Sequence, residues 1–206
     1  MTEPEFKRDS TGPIGGQMNA IVFGLASRMQ IPYLVKRHSS TTVMGLFAFA
    51  NGVLSIGIMS MAALLTGSPF VFPSLGPTAF LFFYTPTNPA ASPRNAILGH
   101  GIGAGAGYLS LVIFGLTDAA PALATEVTLA RVGAAALSLG LTSGLMVWFR
   151  VPHPPAGATT LIVSLGILTT PRDLAVLMLA VVLLTVQGFV INRTAGIDYP
   201  RWAPKG

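Results

Sequence analysis

The sequence predicts an all-α membrane protein with four full transmembrane helices and two proline-broken membrane segments, arranged as two inverted three-segment repeats. Three observations carry this expectation. Of 206 residues, 51% are hydrophobic and 9% are charged, against roughly 25% charged in ordinary soluble domains. The runs 43–66, 95–117, 132–149 and 174–192 each hold 18 or more residues without Asp, Glu, Lys or Arg, and about 20 apolar residues cross a bilayer. Between these runs lie PSLGPTAFLFF, from Pro73, and PPAGATTLIVS, from Pro154. They align, proline on proline and Thr78 on Thr159, when Gly76 is set on Gly157.

Residues 1–42 form a cytoplasmic segment in this reading. They hold no cleavable signal pattern, and Glu3, Glu5 and Asp9 argue against an acid-poor transit peptide. QMNAIVFGLASRM, residues 17–29, is read as a short interfacial helix ahead of the first crossing at 43–66. The first broken segment follows. A ten-residue helix rises only ~15 Å, half the ~30 Å hydrocarbon core. With Pro69 to Ser74 extended and Leu75 to Tyr84 helical, the sum is roughly 35 Å and the segment crosses.

Ser92-Pro93-Arg94-Asn95 then opens the second full helix, as Thr170-Pro171-Arg172-Asp173 opens the fourth. Within the second helix, GHGIGAGAGY (99–108) contains no G-x-G-x-x-G set and follows no strand, so it is not a nucleotide loop. Gly99, Gly103 and Gly107 fall on one helix face suited to close packing, against either the other repeat or another subunit. After the third run, RVPHPPAGATT (150–160) breaks the helix. Pro152, Pro154 and Pro155 fix φ and withhold backbone donors, so the chain stays extended until a helix starts near Gly157. The second segment, Val151 to Thr169, also has the length to cross. The transmembrane domain is thus 43–192, with halves 43–117 and 129–192, and a cytoplasmic tail covers 193–206.

Charge sets the orientation. Six crossings put Lys36, Arg37, Arg94, Arg150, Arg193, Arg201 and Lys205 inside, and Asp118, Glu126, Arg131 and Arg172 outside. That order follows the positive-inside rule better than two re-entrant loops would. Tyr33, Tyr84, Trp148 and Trp202 then fall at the inner interface. The expected location is a bacterial inner membrane with both termini cytoplasmic. The net charge of +5 reflects these flanks, and no basic stripe with interleaved aromatics points to nucleic acid.

Two helix starts converging from opposite sides of the membrane suit a small anion, because a helix N-terminus presents free N–H groups and partial positive charge. The candidate substrate-binding residues are Ser74, Gly76, Thr78 and Ala79 from the first segment, and His153, Gly157, Ala158, Thr159 and Thr160 from the second. Arg94 and Arg172 are candidate pore mouths that raise local anion concentration, with interfacial anchoring as the rival role. His100, inside an apolar helix, is a candidate proton or substrate contact or a histidine hydrogen-bonded to a neighbouring helix. Pro73, Pro93, Pro154 and Pro155 have structural roles. Asn51 and Gln187 are expected to bond between helices. No metal site is expected from three histidines without H-x-x-x-H spacing, and no cofactor. The absence of cysteine excludes disulfides and thiolate chemistry.

These motifs resemble the HPP family of integral membrane proteins, named for the tripeptide that stands here as His153-Pro154-Pro155. The resemblance extends through FPSLGPTAFLFF (72–83) and SPRNAILGH (92–100) and covers most of 43–192. Family members are usually described with four transmembrane helices, and some plant and cyanobacterial members are linked to nitrite transport. The resemblance implies a small-anion transporter and importance for Pro73, Gly76, Pro93, Arg94, Asn95, His100, His153, Pro154, Pro155, Gly157 and Thr159. The function expected is a nitrite-like anion channel or transporter with substrate near the membrane midplane. Its expected partners are a small inorganic anion, the lipid bilayer and further copies of itself. An intramembrane enzyme using His153 is disfavoured because no nucleophile, acid and metal set accompanies it. The third alternative is a structural membrane subunit.

Overall fold

The computed structural model describes residues 30–204. The interfacial helix expected over 17–29 lies outside them. Among the described residues there are seven α-helices and no strand: α1 (Ile31–Arg37), α2 (Ser40–Thr66), α3 (Leu75–Tyr84), α4 (Pro93–Ile113), α5 (Leu129–Trp148), α6 (Ala156–Ser164) and α7 (Pro171–Thr194), with a single 3-10 turn at Pro89–Ala91 before α4. The four helices long and apolar enough to cross a membrane are α2, α4, α5 and α7.

Local chemistry separates long helices from short ones. Each long helix starts on a hydroxyl that accepts the N–H three residues on: Ser39 from Thr42, Ser92 from Asn95, Thr128 from Arg131 and Thr170 from Asp173. Thr170 and Asp173 complete a capping box, and both α4 and α7 carry proline in the first turn, where its missing N–H is no loss. By contrast, α3 and α6 start on Ser74 and Pro155 with no side-chain cap.

Hydrogen bonds between chain ends order the bundle. Ile31 N–H donates to the Ala195 carbonyl, and Arg94 N–H to that of Trp202. The Arg94 guanidinium bonds the Arg150 carbonyl at 3.2 Å, and Asn192 bonds the Phe82 carbonyl at 2.9 Å. The ends of α3, α5 and α7 therefore meet the starts of α2 and α4. At the opposite end, Arg131 in the first turn of α5 bonds the carbonyls of Ser164, Ala119 and Ala120.

Helix α4 is central and packs against α5, α6 and α7, whereas α3 packs between α2 and α7. The core gathers Leu75, Phe82, Phe83, Leu111, Leu177 and Leu184. Large apolar side chains such as Leu46, Phe49, Leu65 and Trp148 face outward, where lipid tails would solvate them. The glycine face of α4 meets α6 and the chain before it. A Cβ at Gly99 would lie 2.7 Å from the His153 Cβ, one at Gly103 2.6 Å from the Ala156 carbonyl oxygen, and one at Gly107 2.7 Å from the Val163 Cβ. Gln187 reaches across from α7 to the Met59 sulfur. Asn51 does not bond between helices as expected. Its amide donates to Phe47 O one turn back in α2, a partner its own helix always supplies.

Candidate functional site

Thr78 is one turn beyond Ser74 in α3, and its hydroxyl lies 2.9 Å from the Ser74 carbonyl. The same oxygen lies 2.9 Å from His100 Nε2 and 3.2 Å from His153 Nε2. From the other segment, the Thr159 hydroxyl lies 2.6 Å from His100 Nδ1. The two rings meet edge to face with their Nε2 atoms 3.2 Å apart. His153 Nδ1 is 2.8 Å from the Ala90 carbonyl. Thr78, His100, His153 and Thr159 are all fully buried.

The partners settle the protons. A carbonyl only accepts, so His153 carries its proton on Nδ1 and presents a lone pair at Nε2. His100 must then donate from Nε2, and its Nδ1 accepts from the Thr159 hydroxyl. Thr78 accepts from His100 and donates to Ser74 O or His153. Every partner is served with both rings neutral. Among the described residues no acid competes for these donors: Asp118, Glu126 and Asp173 belong to the opposite end of the bundle, and Asp198 sits in the tail beside Arg193, 3.5 Å from its guanidinium.

His100 is seven residues beyond Pro93 and Thr78 six residues before Tyr84, so by either count the cluster is ~10 Å from the end that carries Arg94 and Arg150. With the midplane of a ~30 Å core at ~15 Å, the cluster is about 5 Å from the midplane, on the side of that end. Beside it, a cleft of about 640 Å³ runs along α5 and is lined by Leu139, Met146, Arg150, Pro152, His153 and Gly157. Arg150 adopts φ 53°, a left-handed conformation that costs a side-chain-bearing residue of order 1 kcal/mol or more. Arg94 holds its carbonyl.

The remaining expected site residues divide. Ser74, Ala79 and Thr160 are buried beside the cluster, and the hydroxyls of Ser74 and Thr160 have no partner. Gly157 and Ala158 are half-buried, and Gly76 is exposed. The free N–H groups expected at 157–159 are not free: Gly157 donates to Pro154 O, and Ala158 and Thr159 to Pro155 O. The chain turns helically from His153 onward, earlier than the prolines suggested, because Pro154 and Pro155 are acceptors even though they cannot donate. Pro93 and Pro155 are buried, Pro73 and Pro154 exposed. Arg172 is exposed at the start of α7, at the end of the bundle opposite Arg94. Among the described residues no third His, Cys, Asp or Glu joins the histidine pair to make a metal site.

Three contributors carried no sequence signal of this role: the Ala90 carbonyl, Tyr199 and Asn192. Tyr199 is buried between Phe82 and Phe189, and its hydroxyl donates to Ala91 O beside the carbonyl that His153 uses.

A family model described as HPP, transmembrane region, matches residues 37–200, most of the chain, and the chain belongs to that family. A transmembrane protein of Dictyostelium discoideum is 38% identical over 93 residues, 45% of this chain and 27% of that protein. A second from the same organism is 36% identical over 94 residues, 46% of this chain and 30% of that protein. These matches span less than a third of either relative's length. No solved structure matches.

Proposed function

We propose that this multi-pass HPP-family membrane protein carries a small monovalent anion, nitrite or one like it, through a site where α3 and α6 converge on α4. One observation carries the reading. Thr78 and Thr159, the residues that the internal repeat aligns, both bond the His100 ring, and next to each stands a buried hydroxyl with no partner, Ser74 or Thr160. An unmet buried donor costs about 1–3 kcal/mol. A small anion, which only accepts, satisfies several at once.

The bonds between chain ends support six crossings and an inverted pair of halves, with 69–84 and 151–169 as the crossings that the long helices do not supply. Each broken segment packs on one helix of its own half and one of the other. The end bearing Arg94 and Arg150 faces the cytoplasm in this reading, and the membrane is a bacterial inner membrane. We read the site as a binding element and not as an enzyme, since neither threonine hydroxyl has an acid–base pair and an oxyanion donor set together. Self-assembly belongs to the same reading, through a surface other than the glycine face of α4, which α6 fills.

The test is uptake of nitrite by purified protein in liposomes. Protein-dependent uptake is expected, and Thr78→Val and Thr159→Val should each lower it about 10- to 100-fold, the equivalent of about 1–3 kcal/mol, without changing elution in size-exclusion chromatography. Uptake no faster than in protein-free vesicles would sink the proposal.

A further inference from the structure

We infer that His100 and His153 form a site for a single extra proton, and that loading it releases a hydroxyl donor for the anion, so that anion and proton cross together. This rests on the anion reading and adds the coupled ion.

The inference follows from counting protons along the chain Thr159, His100, Thr78, His153, Ala90. With both rings neutral, the Thr159 hydroxyl is consumed as donor to His100 Nδ1, 2.6 Å away. Add one proton at His100 Nδ1, and that bond reverses. Nδ1–H now donates, Thr159 Oγ1 accepts, and the hydroxyl hydrogen of Thr159 turns to another acceptor. The balance closes with an acid HX as the source. HX gives its proton to Thr159 Oγ1, the original hydroxyl proton of Thr159 passes to His100 Nδ1, and X⁻ keeps a hydrogen bond from Thr159 beside a ring that is now cationic. No other reactant is needed, and the reverse sequence releases HX.

Capacity is limited to one proton. His100 Nε2–H is shared between Thr78 Oγ1 at 2.9 Å and His153 Nε2 at 3.2 Å, and the extra proton can shift along the second of these bonds to either ring. A second would set N–H against N–H. His153 cannot turn away, because Ala90 O holds its Nδ1 and the backbone of Gly99 is against its Cβ.

Among the described residues, the surroundings contain no competing acid. The ionisable groups on the elements packed around the pair are Tyr84 on α3, Arg94 and Tyr108 on α4, Arg131 on α5, Arg150 before His153, and Arg172, Asp173 and Arg193 on α7, with none on α6. None of them bonds either ring. With no fixed negative charge beside the pair among the described residues, the anion itself is the counterion for the added proton. Proton and anion therefore favour each other's binding, and the pair enters and leaves as a neutral unit.

The experiment uses full-length protein in liposomes containing a trapped pH-sensitive dye, with nitrite as the probe and initial rates taken above those of protein-free vesicles. With acid outside, the protein should speed uptake, the lumen should acidify by one proton per nitrite, and an imposed membrane potential should leave the rate unchanged. His100→Gln keeps amide hydrogen-bonding atoms beside Thr78 and Thr159 but removes the ring nitrogen that takes the Thr159 proton, and His153 bonds Thr78 and Ala90 instead. The variant should lose the acid stimulation by about tenfold or more. Protein-dependent uptake that follows the potential without acidifying the lumen would overturn the coupling and leave anion transport standing. Full acid stimulation in His100→Gln would also overturn it. No protein-dependent uptake under either gradient would overturn the anion reading, and the coupling with it.

Discussion

The two broken segments carry one sequence pattern and two kinds of support. The second, 151–169, lies against the glycine face of α4 and is held near both ends by arginine: Arg94 on the Arg150 carbonyl just before it, Arg131 on that of Ser164. Gly166, at φ 84°, turns the chain where a Cβ would strike the Arg131 guanidinium at 2.6 Å. The first, 69–84, packs between α2 and α7 and leaves Pro73, Gly76, Pro77 and Phe80 exposed, with Asn192 as its tie near the end of α3. A matched pair of sequences has thus become a clamped half and an outer half. An exposed face lowers the cost of shifting an element, but Leu75, Phe82 and Phe83 anchor the inner face of α3 in the core.

The largest effect that would break this comparison is at the glycines. A valine at Gly103 would force its Cβ to 2.6 Å from backbone oxygen, whereas Gly76 has no atom within 4 Å of the added Cβ. Overpacking of rigid backbone costs about 1–3 kcal/mol or more. Gly103→Val is expected to abolish monodisperse protein in size-exclusion chromatography, and Gly76→Val to leave the yield intact. Equal losses would mean that the two segments are equally confined. Gly157, by contrast, has room, since an added Cβ makes an ordinary 3.5 Å contact with Leu139.

Next come the polar ties. Arg131, 3% exposed, donates to three carbonyls, and charge-assisted bonds are the stronger kind. Arg131→Gln should destabilise the folded protein by about 2–3 kcal/mol. Asn192→Ala removes neutral bonds to Phe82 O and Gly188 O and should cost about 1–2 kcal/mol. Thermal unfolding in detergent reads both, and a larger drop for Asn192→Ala would reverse which half is clamped.

The smallest effect tests the joint between the halves. His153 of one segment and Tyr199, whose ring meets Phe82 of the other, take adjacent carbonyls of the turn Pro89–Ala91. Tyr199→Phe keeps the ring contacts and loses one bond, about 1 kcal/mol. Because burial pushes the Tyr199 phenol pKa up, it stays protonated from mildly acid to mildly alkaline pH, and the loss should not vary across that range. A pH-dependent loss would place Tyr199 in contact with water.

The sequence by itself determined the four spans, the places where the chain breaks and the pairing of Thr78 with Thr159. These are local or additive properties: uncharged length, the missing donor and fixed φ of proline, Ser or Thr before Pro-Arg. Tertiary structure alone decided which side chains converge. His100 and His153 are 53 residues apart, and no alternation of polar and apolar residues in the helix around His100 marks the side facing inward. In a soluble helix, polar residues would mark the outer face, but lipid tails are as apolar as the core, so the pattern that fixes rotation is lost. Small residues decide it instead. Gly99, Gly103 and Gly107 let α6 and the chain before it approach the α4 backbone, and that approach turns His100 toward His153, Thr78 and Thr159. Their spacing marked a packing face in advance, but only the folded chain shows that its partner is the second broken segment.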